Sequence, residues 1–109
     1  MLTWEEFEKT DMRVGTIIEV TDFPQARKPA WQLRIDFGPL GIRKSSAQIT
    51  RLYGKEDLLG RQVVAVVNFP PKQIANFRSE CLVLGAVGDS GGIVLLQPDR
   101  SVPNGLRIA

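Results

Sequence analysis

The chain contains no histidine and only one cysteine among its 109 residues. Without histidine, the usual base that activates a nucleophilic serine is missing. A zinc or other transition-metal site would rest on carboxylates alone, and these are scattered along the sequence. The lone Cys81 excludes an internal disulfide, which is typical of the reducing cytoplasm, and its apolar surroundings predict a small buried side chain. These absences predict a protein that is not an enzyme and uses no cofactor and no metal.

The string G-D-S-G-G at residues 88–92 is the one apparent exception, because it matches a serine-protease motif. It lies between two apolar runs, where glycine, aspartate and serine are ordinary residues of a hairpin turn. We therefore predict a turn there. Phosphate-binding loops of the G-x-x-x-x-G-K-[ST] and G-x-G-x-x-G types are also missing.

A large charge excess and a long apolar run are missing as well. The formal net charge is only +2, from 14 basic and 12 acidic residues, which excludes a polybasic tail but allows a local basic patch. No stretch has the length of a membrane span, and the start M-L-T-W-E-E-F-E-K is too acidic for a signal peptide. The length fits one domain. We expect a single soluble domain in the cytoplasm.

Three segments are predicted as β-strands: apolar and polar residues alternate in the first two, and the third is the most polar. In the first, residues 12–21, Val14 and Ile18 fall on one face and Ile17 on the other, and Gly15 is expected to form a bulge. The other two segments are residues 31–37 and 42–48.

Two continuous apolar runs, residues 63–67 and 81–87, are typical of strands that are buried on both faces. A further short strand is predicted at residues 93–96. The polar segment between the two runs contains Pro70 and Pro71, which remove two backbone donors and interrupt any ladder. A rigid, extended connector that presents polar side chains beside apolar ones indicates a recognition surface.

A short helix is predicted at residues 3–10, because Thr3 and Glu6 fit a capping box. The apolar side of this helix is formed by Leu2, Trp4 and Phe7. The residues alone allow two interpretations: this side covers one end of its own fold, or it packs on a second subunit. A second helical or turn region is predicted at residues 49–59.

Three strings in the sequence resemble the tRNA-binding domain family. They are N-F-P-P-K-Q-I-A from Asn68, S-E-C-L-V-L from Ser79, and K-S-S-A-Q-I-T from Lys44, and the first and third are similar to those of small secretion-associated chaperones of that family. The resemblance covers residues 11–105. It implies an all-β fold, a five-stranded OB-fold barrel with short added helices, in one domain over residues 1–109. It also implies a homodimer, which favours Leu2, Trp4 and Phe7 as a dimer interface together with the C-terminal strands.

The expected ligand-binding residues are polar or aromatic and lie on the third strand and in the polar segment. They are Lys44, Ser45, Ser46, Gln48, Asn68, Phe69, Lys72, Gln73, Asn76, Phe77, Arg78, Ser79 and Glu80. Such side chains can contact phosphates and unpaired bases, or the backbone of an extended peptide. The third strand can serve as an exposed edge, as part of a ligand groove, or as both.

The resemblance favours a molecular chaperone that binds unfolded preproteins or peptides for protein export, with the export machinery as a partner. A structure-specific tRNA-binding protein acting in trans is the second interpretation, with tRNA as the partner. A dimerising scaffold is the third.

Overall fold

The computed structural model describes the whole chain, residues 1–109, and contains nine β-strands and two short α-helices. The strands are β1 (Met12–Asp22), β2 (Trp31–Asp36), β3 (Ile42–Ala47), β4 (Gln62–Val66), β5 (Lys72–Ile74), β6 (Phe77–Ser79), β7 (Leu82–Val83), β8 (Gly85–Val87) and β9 (Ile93–Leu95). The helices are α1 (Trp4–Glu8) and α2 (Lys55–Leu58), and a 3-10 turn at Gly38–Leu40 joins β2 to β3. Neither helix is long and apolar enough to cross a membrane.

Five strands form one antiparallel sheet in the order β3-β2-β1-β4-β7. The sheet curls until the residues just before β7 lie against β3, where the Glu80 N–H donates to the Lys44 carbonyl over 2.8 Å. Helix α2 lies between β3 and β4 in the chain, and β5–β6 and β8–β9 form two separate hairpins. The predicted all-β, five-stranded OB-fold barrel with short helices is confirmed.

The bulge in β1 lies three residues after the predicted position. The register with β2 shifts between Ile17 and Glu19, so the extra residue is Ile18 and not Gly15. One extra residue exchanges the two faces of a strand. The bulge therefore places Ile17 and Val20 on the same inner face, whereas simple alternation separates them. Ile17 is fully buried, while Ile18 is 42% exposed.

The barrel interior is filled by a cluster of 12 buried residues. Ile17, Leu33 and Ile35 are completely buried there, and each such side chain contributes about 1.5–3 kcal/mol. Helix α2 is attached to the same cluster through Leu58, its only buried residue. Cys81 also belongs to this cluster, as predicted for a small buried side chain.

The predicted extended connector is instead a β-hairpin. Strands β5 and β6 pair with Ile74 opposite Phe77, and a two-residue turn joins them. The prolines do not prevent this pairing, because both precede β5 and remove only their own donors. The first turn residue, Ala75, has a φ of +51°, a conformation that strains any residue with a side chain.

The predicted fifth strand, residues 81–87, is broken at Leu84 into β7 and β8. The Leu84 N–H donates to Val64 in the main sheet, while its carbonyl accepts from Leu96 in the β8–β9 hairpin. The chain thus passes from the main sheet to the β8–β9 hairpin at Leu84. The turn predicted at residues 88–92 closes this hairpin, with the Gly88 N–H donating to the Gly92 carbonyl over 2.9 Å.

Both ends of the chain pack near the start of β1. The predicted capping box of Thr3 and Glu6 is present, although the helix itself is shorter than the predicted residues 3–10. Near the C-terminus, Arg107 forms an isolated bridge with Arg13 of β1. The first half of β1 is therefore hydrogen-bonded to β4 on one edge and to residues 105–108 on the other.

Candidate ligand-binding groove

A groove of about 470 Å³ lies where the barrel closes, beside the contact between β3 and the residues just before β7. Its walls come from the end of β3, from the β5–β6 hairpin and the residues before it, and from β7. The lining residues are Ser46, Ala47, Gln48, Ile49, Phe69, Pro70, Lys72, Ile74, Ser79, Glu80, Cys81, Leu82, Val83 and Ile93. The volume is in the range of protein ligand sites.

Phe69 and Leu82 are the exposed apolar side chains of this groove, at 54% and 48% exposure. Pro70 lines the same rim and, with Pro71, fixes the backbone that follows Phe69. An aromatic side chain on a rigid segment loses little conformational entropy when a ligand covers it. The rim is therefore suited to anchoring an apolar group.

Ser79 and Glu80 line the groove, but both side chains accept a hydrogen bond from the backbone of β3. The Glu80 carboxylate accepts from the backbone N–H of Lys44 at 2.9 Å. The Ser79 hydroxyl accepts from the backbone N–H of Ser46 at 3.1 Å. These side chains occupy donors that a neighbouring strand would otherwise bind, so they close the barrel beside the groove.

Ser45 lies inside the barrel rather than in the groove. Its side chain is 1% exposed, and its hydroxyl donates to the Cys81 carbonyl over 3.0 Å. Burial raises the pKa of the Cys81 thiol to about 12, so the thiol stays protonated at neutral pH. Both residues support the floor of the groove from within.

Phe77 belongs to a second, smaller apolar cluster outside the groove. Its ring packs on Phe23 with centroids 5.5 Å apart, and Ala30 completes the buried set. The ammonium group of Lys44 lies 5.2 Å from the centre of the Phe77 ring. This cluster holds the β5–β6 hairpin against the loop between β1 and β2.

The other predicted ligand residues outside the groove are exposed. Gln73, Asn76 and Arg78 lie on the β5–β6 hairpin, where the Gln73 amide donates to the Ala75 carbonyl over 3.1 Å. The side chain of Asn68 is hydrogen-bonded to the backbone between α1 and β1.

The structure thus brings together part of the predicted set. The residues that line the groove are Ser46, Gln48, Phe69, Lys72, Ser79 and Glu80. Leu82, Val83 and Ile93 also line it but resemble core residues in the sequence, because they lie in short apolar runs. No local signal marks them, since their place in the groove depends on how β7 and β9 pack beside the end of β3.

Two charged side chains line the groove, Lys72 and Glu80, and neither forms an ion pair within the chain. No three His, Cys, Asp or Glu side chains cluster closely enough to hold a metal ion. The groove thus offers a ligand apolar contact, a few polar groups, one ammonium group and one carboxylate.

The predicted interface residues lie together at α1: Trp4 and Phe7 belong to the helix, and Leu2 precedes its N-cap Thr3. They line a shallow depression of about 410 Å³ with Thr3 and Ala109. Leu2 is 69% exposed and Trp4 is 83% exposed, and no residue of α1 is buried. The helix therefore does not cover the core of its own barrel.

A model of the putative tRNA binding domain family matches residues 12–107. The chaperone CsaA from Bacillus anthracis, whose crystal structure is known, is 54% identical in sequence to this chain. The structural alignment covers 100% of this chain and 99% of the CsaA chain, with a TM-score of 0.95. The crystal structure of the CsaA chaperone protein from Picrophilus torridus, at 55% identity, aligns over 100% of both chains with a TM-score of 0.93. The resemblance inferred from the sequence strings, including the likeness to small chaperones of that family, is confirmed.

Among curated proteins, the methionine--tRNA ligase of Thermococcus onnurineus is 38% identical over 105 residues. The match covers 96% of this chain but only 14% of the ligase. The chain spans 14–15% of the length of the curated relatives it matches.

Proposed function

Because the chain belongs to the tRNA-binding domain family, we propose that it acts by binding rather than by catalysis, as a molecular chaperone that holds unfolded preproteins for export. The observation that carries this proposal is the groove with its exposed, rigidly mounted Phe69 and its apolar wall at Leu82. The full-length likeness to proteins described as chaperones supports it. We place the protein in the cytoplasm, where unfolded preproteins meet the export machinery.

The groove suits a segment of unfolded polypeptide. Its volume of about 470 Å³ holds a few side chains and not a folded domain. Contacts of this extent give weak binding, and two grooves that engage one flexible chain raise the overall affinity strongly. The proposal therefore includes a homodimer.

The dimer is proposed to form through α1 and the C-terminal strands. Leu2 and Trp4 are exposed at α1, and Val94 and Leu96 are exposed on or beside β9. Leu2, Trp4 and Phe7 line one depression, and a contiguous apolar patch is typical of an interaction surface. The double variant Trp4→Asp with Phe7→Asp should sediment as a monomer, and Leu59→Asp, at an exposed position of the barrel, should sediment like the wild type. A dimer mass for the double variant would remove α1 from the interface.

The proposed chaperone activity is tested by fluorescence anisotropy with a permanently unfolded probe, labelled, reduced and carboxymethylated α-lactalbumin. We expect Phe69→Ser and Leu82→Ser each to weaken binding about tenfold, because each removes an exposed anchor of the groove. Leu59→Ser is the matched control, since it also removes an exposed apolar side chain. Equal affinities for all four proteins would place polypeptide binding elsewhere.

A structure-specific tRNA-binding protein acting in trans is the second candidate. It is favoured by the Lys44 ammonium group over the Phe77 ring and by the exposed Arg78 on the same hairpin. The likeness to part of a methionine--tRNA ligase agrees with it. RNA binding should fall steeply with salt, because phosphate contacts release counterions. Polypeptide capture by apolar contact should depend on salt much less.

Labelled total tRNA separates the two candidates in the same assay. The tRNA-binding protein would be favoured if tRNA binds tightly and in a salt-sensitive way, and if unfolded polypeptide cannot displace it. That binding should also be lost when Lys44 and Lys72 are replaced by alanine. Weak binding that the unfolded probe displaces would favour the chaperone. A chain that binds neither probe and still dimerises would be a scaffold.

A further inference from the structure

The side chain of Asn68 joins three parts of the fold. Its amide nitrogen donates to the carbonyl of Lys9, the C-terminal cap of α1, over 2.7 Å. Its amide oxygen accepts from the N–H of Asp11, just before β1, at 3.0 Å. The adjacent Val67 N–H donates to the Asp11 carbonyl over 2.9 Å. Both ends of the Asn68 amide are therefore used to hold the segment that connects α1 to the barrel.

Few other contacts hold α1 in place. The helix has five residues, and none of them is buried. One other hydrogen bond joins α1 to the rest of the fold: the Arg107 guanidinium donates to the Glu8 carbonyl over a long 3.3 Å. The position of α1 relative to the barrel thus depends largely on Asn68.

Asn68 is also the residue that precedes the rim of the groove. Phe69 follows it directly, and the φ angles of Pro70 and Pro71 are fixed by their rings. Phe69 precedes a proline and is therefore restricted to extended conformations, which leaves its backbone little freedom to absorb a shift of Asn68. Such a shift is passed to the Phe69 side chain.

We propose that Asn68 is a positioning residue that couples α1 to the groove, so that packing of α1 on a second copy and binding of polypeptide at Phe69 strengthen each other. This inference rests on the proposed function, which assigns polypeptide to the groove and the subunit contact to α1. Coupling between two binding events is reciprocal: each changes the affinity of the other by the same factor.

The coupling is tested first by analytical ultracentrifugation of the dimer with and without saturating amounts of a short peptide fragment of reduced, carboxymethylated α-lactalbumin. The fragment is chosen too short to reach both grooves, because a chain that engaged both would favour the dimer without any coupling. In the wild type, the probe should lower the dimer dissociation constant about fivefold or more. In Asn68→Ala the probe should change that constant less than twofold. Asn68→Asp keeps the acceptor for Asp11 and loses the donor to Lys9, so it should behave like Asn68→Ala. A wild-type dissociation constant that the probe leaves unchanged overturns the coupling.

A second measurement needs neither ligand nor dimer. The fluorine resonance of Phe69 is followed in protein labelled with 4-fluorophenylalanine, and Phe69→Leu identifies its signal. Thr3→Ala removes the capping box of α1 without touching the groove. It should shift the Phe69 resonance when Asn68 is present and not in the Asn68→Ala background. No shift in the presence of Asn68 also overturns the coupling.

The two measurements separate this inference from the proposed function. The proposed polypeptide site is contradicted if the probe fails to bind the wild type or binds Phe69→Ser equally well. In that case the fluorine resonance still reports whether α1 and Phe69 are coupled. A probe that binds through the groove, together with a Phe69 resonance that ignores Thr3→Ala, leaves the proposed function intact and removes the coupling.

Discussion

Replacing Ser79 with alanine should destabilise the barrel, because the hydroxyl group of Ser79 closes it. The substitution removes the acceptor of the Ser46 N–H at 3.1 Å and a weaker contact of 3.4 Å to the Cys81 carbonyl. Ser79 is buried while Ser46 is only half-buried, so water can replace part of the lost hydrogen bonding. A buried donor left without its partner costs about 1–3 kcal/mol, and we expect about 1–2 kcal/mol here.

The measurement is urea-induced unfolding followed by tryptophan fluorescence, at one protein concentration for all variants because association changes apparent stability. A loss of this size lowers the melting temperature by about 5–10 °C in a domain of this length. Ser101→Ala is the matched control, since Ser101 is exposed and makes no hydrogen bond through its side chain. Full stability of Ser79→Ala combined with weakened ligand binding would refute the closing role and make Ser79 a ligand contact.

Three further predictions concern the core, the hairpin turn and the cysteine. Gly15→Ala should lower the free energy of unfolding by about 2–3 kcal/mol, because the added Cβ would lie 2.6 Å from Ile35 and 2.7 Å from the Phe37 ring. Both of those side chains are fully buried. Urea unfolding checks this, and a loss below about 0.5 kcal/mol would contradict it. Ala75→Gly should raise the free energy of unfolding by about 0.5–1 kcal/mol, because glycine adopts a positive φ without strain; an unchanged or lower value would contradict it. The thiol pKa of Cys81 is raised from 9.0 to about 12, so its stabilising effect is complete below pH 9 and declines as the pH rises towards 12. Relative to Cys81→Ala, the wild type should lose about 1.4 kcal/mol per pH unit in that window, and parallel stability curves would contradict this.

The strand pattern of the barrel follows from the sequence, while the face that each residue presents does not always do so. Alternation identifies β1 correctly but puts Ile18 on one face with Val14, whereas the bulge leaves Ile18 exposed and Ile17 in the core. Nothing in the string T-I-I-E locates that bulge. Its position depends on the register that β1 adopts against β2.

The groove is less predictable than the fold, because polar residue types do not reveal which hydrogen bonds they already make. Ser79 and Glu80 have the chemistry of ligand contacts, yet both bind the backbone of β3. Asn68 likewise binds the backbone beside α1. Leu82, in contrast, has the pattern of a core residue and lines the groove. These assignments depend on contacts between segments far apart in the sequence.

The bridge between Arg13 and Arg107 also has a consequence for how the chain folds during synthesis. β1 is synthesised well before residues 105–108, which complete the second edge of its first half. At about 5–20 residues per second, on the order of ten seconds pass between the synthesis of the two partners. During that interval the edge of β1 is open and can pair with another nascent chain. The open edge of β1 is therefore covered only after residues 105–108 have been synthesised, however quickly the five strands of the barrel associate.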